Sequence, residues 1–173
     1  CIRDSSVTPK ARHGCMIPIK RSQYDALIAG FPQQQVGSGS IKNPVVASGA
    51  DPWVVRHGGH YYYCQSERRG IRVNKTDRLQ DLATNNWKLV WTPPAGTSYS
   101  KEIWAPELHF LLGKWWIYFA ADDGDNANHR MYVLESETDD PQGVYRLRGK
   151  VAADTDRWAI DGTVLQMLDG RLY

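Results

Sequence analysis

The 173-residue chain has little cysteine, few histidines and no marked excess of either charge sign. Its three cysteines, Cys1, Cys15 and Cys64, form no CxxC or metal-ligand spacing. An odd number leaves at most one internal disulfide, which excludes a disulfide scaffold. Cys64 lies in an apolar-aromatic run and reads as a small buried residue. No apolar run approaches the ~18 residues of a membrane span. The first residues lack the charged, apolar and small-residue regions of a signal peptide. The net charge of +2 is unevenly placed: residues 1–42 hold six basic and two acidic side chains, and the remainder holds 15 and 17. A body so close to neutral argues against a nucleic-acid or membrane-surface partner. The basic head reads as a solvated tail. GxSxG, HExxH, phosphate-cradling glycine loops and Cys/His clusters are all missing, so neither a metal nor another cofactor is expected.

What is present is a globular composition, 42% hydrophobic and 11% aromatic, whose texture changes near Ile41. Residues 1–40 show no sustained period and close on a Gly/Ser/Gln-rich stretch that reads as linker, with a short helix over Ser22–Ala29. Residues 41–173 carry short strands between turn residues. Gly58-Gly59 between Trp53–His57 and His60–Cys64 is a two-residue hairpin signal. A second pair is Leu108–Leu112 and Lys114–Phe119, joined at Gly113. Further strands are expected over Ile71–Lys75, Lys88–Trp91, Arg130–Glu135, Tyr145–Val151 and Thr163–Leu168. This is an all-β pattern.

A repeat selects among the all-β folds. Pro52 and Pro106 each precede a glycine by seven residues, Gly59 and Gly113. Gly59, Gly113 and Gly170 each have an aromatic three positions on, and the glycines recur after 54 and 57 residues. A period of ~50 residues holding four strands is the signature of a propeller blade. From Ile41 to Tyr173 there is room for about two and a half such periods, so the expectation is a propeller truncated to about two and a half blades.

Superposing the repeats aligns Asp51 with Ala105 and, with one extra residue, with Asp161. Innermost strands line a propeller's channel, so both aspartates would converge on the axis from different blades. Two carboxylates so gathered suit glycosidic bond cleavage. As Asp-Pro and Asp-Gly pairs they are also ordinary turn formers. Trp104-Ala-Pro-Glu107 opens the first strand of the second repeat. Trp104 could stack on a sugar or fill the core; Glu107, two residues past Ala105 and so expected on its face, and His109, of the same parity, could face the channel. The acidic run Asp122–Asn128 fails the EF-hand pattern and reads as a polar turn.

Four ordered motifs carry a resemblance: Asn43-Pro-Val-Val-Ala-Ser-Gly-Ala-Asp51-Pro-Trp, Ile103-Trp-Ala-Pro-Glu-Leu-His109, Gly113-Lys-Trp-Trp-Ile-Tyr-Phe-Ala-Ala121 and Trp158-Ala-Ile-Asp161-Gly-Thr. Over residues 41–173 the chain resembles glycoside hydrolase family 43. The run Asn128–Glu135 is similar to the family's exo-acting α-L-arabinofuranosidase branch. The resemblance implies a five-bladed β-propeller that cleaves arabinose- or xylose-containing plant polysaccharides with inversion. It implies Asp51 as general base and Asp161 as the residue that raises the acid's pKa; placement in the second repeat adds Trp104, Glu107 and His109 as the expected substrate wall. The implied general acid, a Glu of a later blade, has no counterpart before Tyr173, so this chain alone is expected to be inactive. The polymeric substrate implies secretion. The alternative is a propeller fragment that binds sugar or another chain without catalysis.

Overall fold

The computed structural model describes residues 20–30, 43–84, 86–151 and 156–173, which fall into two units divided after Ser40. Of the first unit, one helix is described, α1 (Arg21–Gly30). Gln23 Oε1 accepts the Lys20 backbone N–H at 2.8 Å, satisfying a donor at the helix start. Arg21 and Asp25, one turn apart, pair at 2.9 Å. The helix expected over Ser22–Ala29 is therefore present. The linker reading of Phe31–Ser40 lies outside the described residues.

The second unit holds two four-stranded antiparallel meanders. The first comprises β1 (Trp53–His57), β2 (His60–Glu67), β3 (Gly70–Thr76) and β4 (Trp87–Trp91). The second comprises β5 (Lys101–Leu111), β6 (Lys114–Asp122), β7 (Arg130–Ser136) and β8 (Tyr145–Lys150). Both are ordered as in sequence. The β1–β2 turn uses Gly58 and Gly59 at φ 56° and 87°, the positive values that match the twist of a two-residue hairpin. The β5–β6 turn repeats this with Leu112 and Gly113 at 53° and 77°.

Apolar faces of the two sheets meet to form the core. Tyr62, Cys64, Ile71 and Val73 of the first sheet pack with Leu108, Trp115, Ile117 and Phe119 of the second. The Trp115 ring lies 5.5 Å from Tyr62, and Phe119 lies 5.1 Å from Trp91. A polar clasp adds direction: Gln142, between β7 and β8, donates to the carbonyls of Val73 and Asn86, both at 2.7 Å. Cys64 is fully buried, and burial pushes its thiol well above the ordinary range.

Two expectations are corrected. Residues 163–168 form no strand. The Gln166–Leu172 bridge and bonds joining Leu165 to Tyr173 and Met167 to Arg171 make only a hairpin tip, too short for a ladder. Second, alternation along the start of β5 is broken. Its register against β6 shifts between Lys101 and Trp104 and again between Trp104 and Glu107, with Glu102 and Ala105 at φ 42° and 43°. Simple parity does not carry from Ala105 to Glu107 across such irregularities. Pro106, which offers no ladder donor, sits buried at the second shift.

Candidate active site

Asp51, Ala105 and Asp161, aligned by the repeat, share one backbone conformation. Their φ values are 47°, 43° and 55°, in the left-handed region that non-glycine residues seldom occupy. Aspartate tolerates that region better than most side chains, whereas alanine gains nothing locally from it. Positive φ therefore recurs at these three positions, before β1, within β5 and ahead of the Gln166–Leu172 bridge, while the residue type varies. Asp51 and Asp161 are both exposed. Among the described residues, neither carboxylate is hydrogen-bonded to another side chain.

Beyond Asp51, Trp53 is fixed by its indole N–H, which donates to the Leu108 carbonyl at 2.7 Å. Its ring lies 4.8 Å from that of His109. His109 in turn holds Glu107 at 2.9 Å between Nε2 and Oε2, and meets Tyr118 edge-on at 5.7 Å. From Glu107 to Leu111 the pairing with β6 is regular, so Glu107 and His109 do share a face. Both are largely shielded, with 16% and 11% of their side-chain surface exposed. The bond between them satisfies two polar groups that water reaches only in part.

Tyr118 continues the line. With Met131, Val151, Gly162 and Thr163 it lines a cavity of about 280 Å³, and burial raises its phenol pKa. Ring contacts thus run from Trp53, two residues after Asp51, through His109 to Tyr118, whose cavity is also lined by Gly162, the residue after Asp161.

Trp104 lies apart from this line. Its ring stacks on His129, with centroids 3.9 Å apart and planes 27° from parallel, and its indole N–H reaches Glu102 at 3.3 Å. The acidic run is the turn expected: Asp122, Asp123 and Asp125 accept the backbone N–H groups of Gly124, Asp125 and Ala127. Among the described residues, no three His, Cys, Asp or Glu side chains are grouped as a metal site. Sequence reasoning passed over Trp53, Tyr118 and the buried His129; the aromatic alternation of β6 was the available signal for Tyr118.

The sequence pattern described as Glycosyl hydrolases family 43 matches residues 41–173. The chain belongs to this family. A family 43 relative, the extracellular exo-alpha-(1->5)-L-arabinofuranosidase of Streptomyces avermitilis, is 37% identical over 129 residues, 72% of this chain and 27% of that protein. The alpha-L-arabinofuranosidase B of Pyricularia oryzae is 32% identical over 74% of this chain and 27% of its own length. Among solved structures, the alpha-L-arabinofuranosidase from Lactobacillus brevis superposes with a TM-score of 0.69 at 33% identity, covering 75% of this chain and 44% of that one. The endo-arabinase from Bacteroides thetaiotaomicron, at 20% identity and a TM-score of 0.60, shares the fold. The chain thus spans roughly a quarter of those two curated family 43 relatives. Its two sheets are similar to those of family 43 propellers.

Proposed function

We propose that residues 41–173 supply the general base and the acid-tuning carboxylate of an inverting hydrolase that releases arabinose from arabinan or arabinoxylan side chains. The protein is a five-bladed propeller acting outside the cell on plant cell-wall polysaccharide. The observation that carries this reading is the shared left-handed backbone at Asp51, Ala105 and Asp161. It supports the repeat alignment that matches both aspartates to Ala105. The names of the arabinofuranosidase relatives support arabinose as the sugar released.

In this reaction Asp51, ionised, takes a proton from water on the face of the sugar opposite the leaving oxygen. The oxygen leaves with a proton from a Glu of a later blade. Acid and base stand ~6.5–9.5 Å apart so that the water fits between them. Asp161 contributes through charge: a neighbouring carboxylate disfavours ionisation of the acid and keeps its proton available. Trp104, Glu107 and His109 form the substrate wall, with the Glu107–His109 pair orienting Trp53 beside the base. Without the acid, residues 41–173 lack a contribution of roughly 10²–10⁴-fold and are inactive alone.

The test is the stereochemistry of release by the full-length hydrolase, followed by proton NMR from the first turnovers. The β-anomer of arabinose is expected first from an α-linked substrate. Initial release of the α-anomer would overturn inversion. Sugar binding without any product would favour a non-catalytic module.

A further inference from the structure

The mechanism leaves one buried ionisable pair unused. His129 and Asp122 each have 0% of their side-chain surface exposed, and His129 Nδ1 lies 2.9 Å from Asp122 Oδ2. On the other side of the ring, Nε2 lies 3.0 Å from the Glu102 carbonyl. A carbonyl can only accept, so this nitrogen carries the proton. The Trp104 indole covers one face of the ring. Burying polar groups such as these costs free energy, and a hydrocarbon ring would fill the space without that cost. Packing alone therefore does not account for the choice of residue.

The backbone of the same residue carries the approach to Asp161. The His129 carbonyl accepts the Ala159 N–H at 3.2 Å and Arg130 Nη1 at 2.9 Å. Three residues upstream, Asn126 accepts the Trp158 indole N–H at 2.9 Å. Two residues downstream, Met131 packs against Gly162 so closely that a Cβ there would lie 3.2 Å from its Cε. The run 158–162 is thus laid along 126–131, and Asp161 projects from it.

We infer that His129, held by Asp122, is a positioning residue that sets where the Asp161 carboxylate stands. The imidazole bonds β5 through the Glu102 carbonyl and lies against Asp122 of β6, and its own main chain holds the segment bearing Asp161. This inference rests on the role proposed above for Asp161, namely tuning the acid.

A mispositioned Asp161 impairs protonation of the leaving group, and substrates differ in how much they need it. An arabinose alkoxide leaves only when protonated, whereas nitrophenolate leaves unaided. The experiment uses the full-length hydrolase and compares kcat/KM on α-1,5-linked arabinobiose and on a nitrophenyl α-L-arabinofuranoside. The variants are His129→Phe, which keeps a ring beneath Trp104, and Asp122→Asn, with Asp161→Asn as reference. The expected result is a loss on arabinobiose about tenfold or more beyond the loss on the aryl substrate for both variants, in the same direction as Asp161→Asn. Equal fractional losses on the two substrates, with Asp161→Asn still selective, would overturn the inference and leave His129 a structural residue. A non-selective Asp161→Asn would remove the tuning role itself, and this inference with it. If His129→Phe does not fold, the nearly isosteric Asp122→Asn decides on the same comparison.

Discussion

The first sheet makes its innermost turn with Gly58-Gly59 and the second with Leu112-Gly113, and all four residues have positive φ. Glycine adopts that geometry freely, whereas a side chain with a Cβ gives up ~1–2 kcal/mol there. The same contrast recurs at the aligned positions Asp51 and Ala105, which share a positive φ with different chemistry. The two sheets share a backbone plan and differ in what stands upon it. Chemistry in this fold is a matter of residue identity at a conserved conformation, and local propensity does not decide that conformation.

The strongest way to break the comparison is at these two aligned positions. In the full-length hydrolase, Asp51→Asn is expected to lower arabinose release by 10²-fold or more (roughly the scale of lost base catalysis), with an unchanged melting curve. Ala105→Gly, at the matching position, should leave turnover close to wild type. Comparable turnover in Asp51→Asn would remove Asp51 as base.

Next in size is a glycine that the first sheet cannot exchange. Gly70 opens β3 at φ 147°, and a Cβ there would lie 2.0 Å from the Trp91 carbonyl. Backbone cannot yield as a side-chain tip can, so Gly70→Ala is expected to cost at least ~3 kcal/mol in urea denaturation. Gly113, with open space around its Cβ position, should lose only ~1 kcal/mol on the same change.

A gain is expected where the second sheet departs from the first. Leu112 is 78% exposed at φ 53°, so it gives up left-handed strain without burying its side chain. Leu112→Gly should raise stability by ~1 kcal/mol, read as a shift in the urea midpoint. A lower midpoint would mean that the leucine makes a contact worth more than its strain.

The smallest effect separates the sheets by pH. Glu135 of β7 accepts from Lys114 and pairs with Arg148 at 3.1 Å, and the Lys114 bond holds its carboxyl below the ordinary value of 4.5. A depressed carboxylate stabilises the fold above its unfolded pKa, and that contribution is lost as pH falls through the folded value. The melting temperature should therefore fall on acidification below about 4.5, and Lys114→Met should flatten that dependence. An unaltered slope in the variant would locate the acid sensitivity elsewhere.

Local signals were enough for most of the strand ladder. Gly58-Gly59 marked its hairpin, and β-branched and aromatic runs marked β3 and β7 to within a residue, while β2 and β6 each run three residues past the expected end. The glycine spacing also led to the three aligned positions of positive φ, Asp51, Ala105 and Asp161. Other features depend on contacts across the fold. β5 begins at Lys101 and bends at Glu102 and Ala105, residues with no intrinsic leaning toward positive φ, so pattern reading placed the strand late. Thr163–Leu168 has strand-like composition but too little pairing to become a ladder. His129 and Asp122 are seven positions apart, and nothing local distinguishes a buried pair from two polar residues flanking a turn. Trp104 left both readings open; in the fold its ring lies on that histidine.

Ala105 is, in this light, a vacant seat. Its backbone is already bent into the shape that two aspartates occupy in neighbouring repeats, and an aspartate suits that shape better than the alanine does. A third carboxyl could be installed there by one codon change, without asking the main chain to move. The propeller plan thus offers more chemical positions than this protein fills.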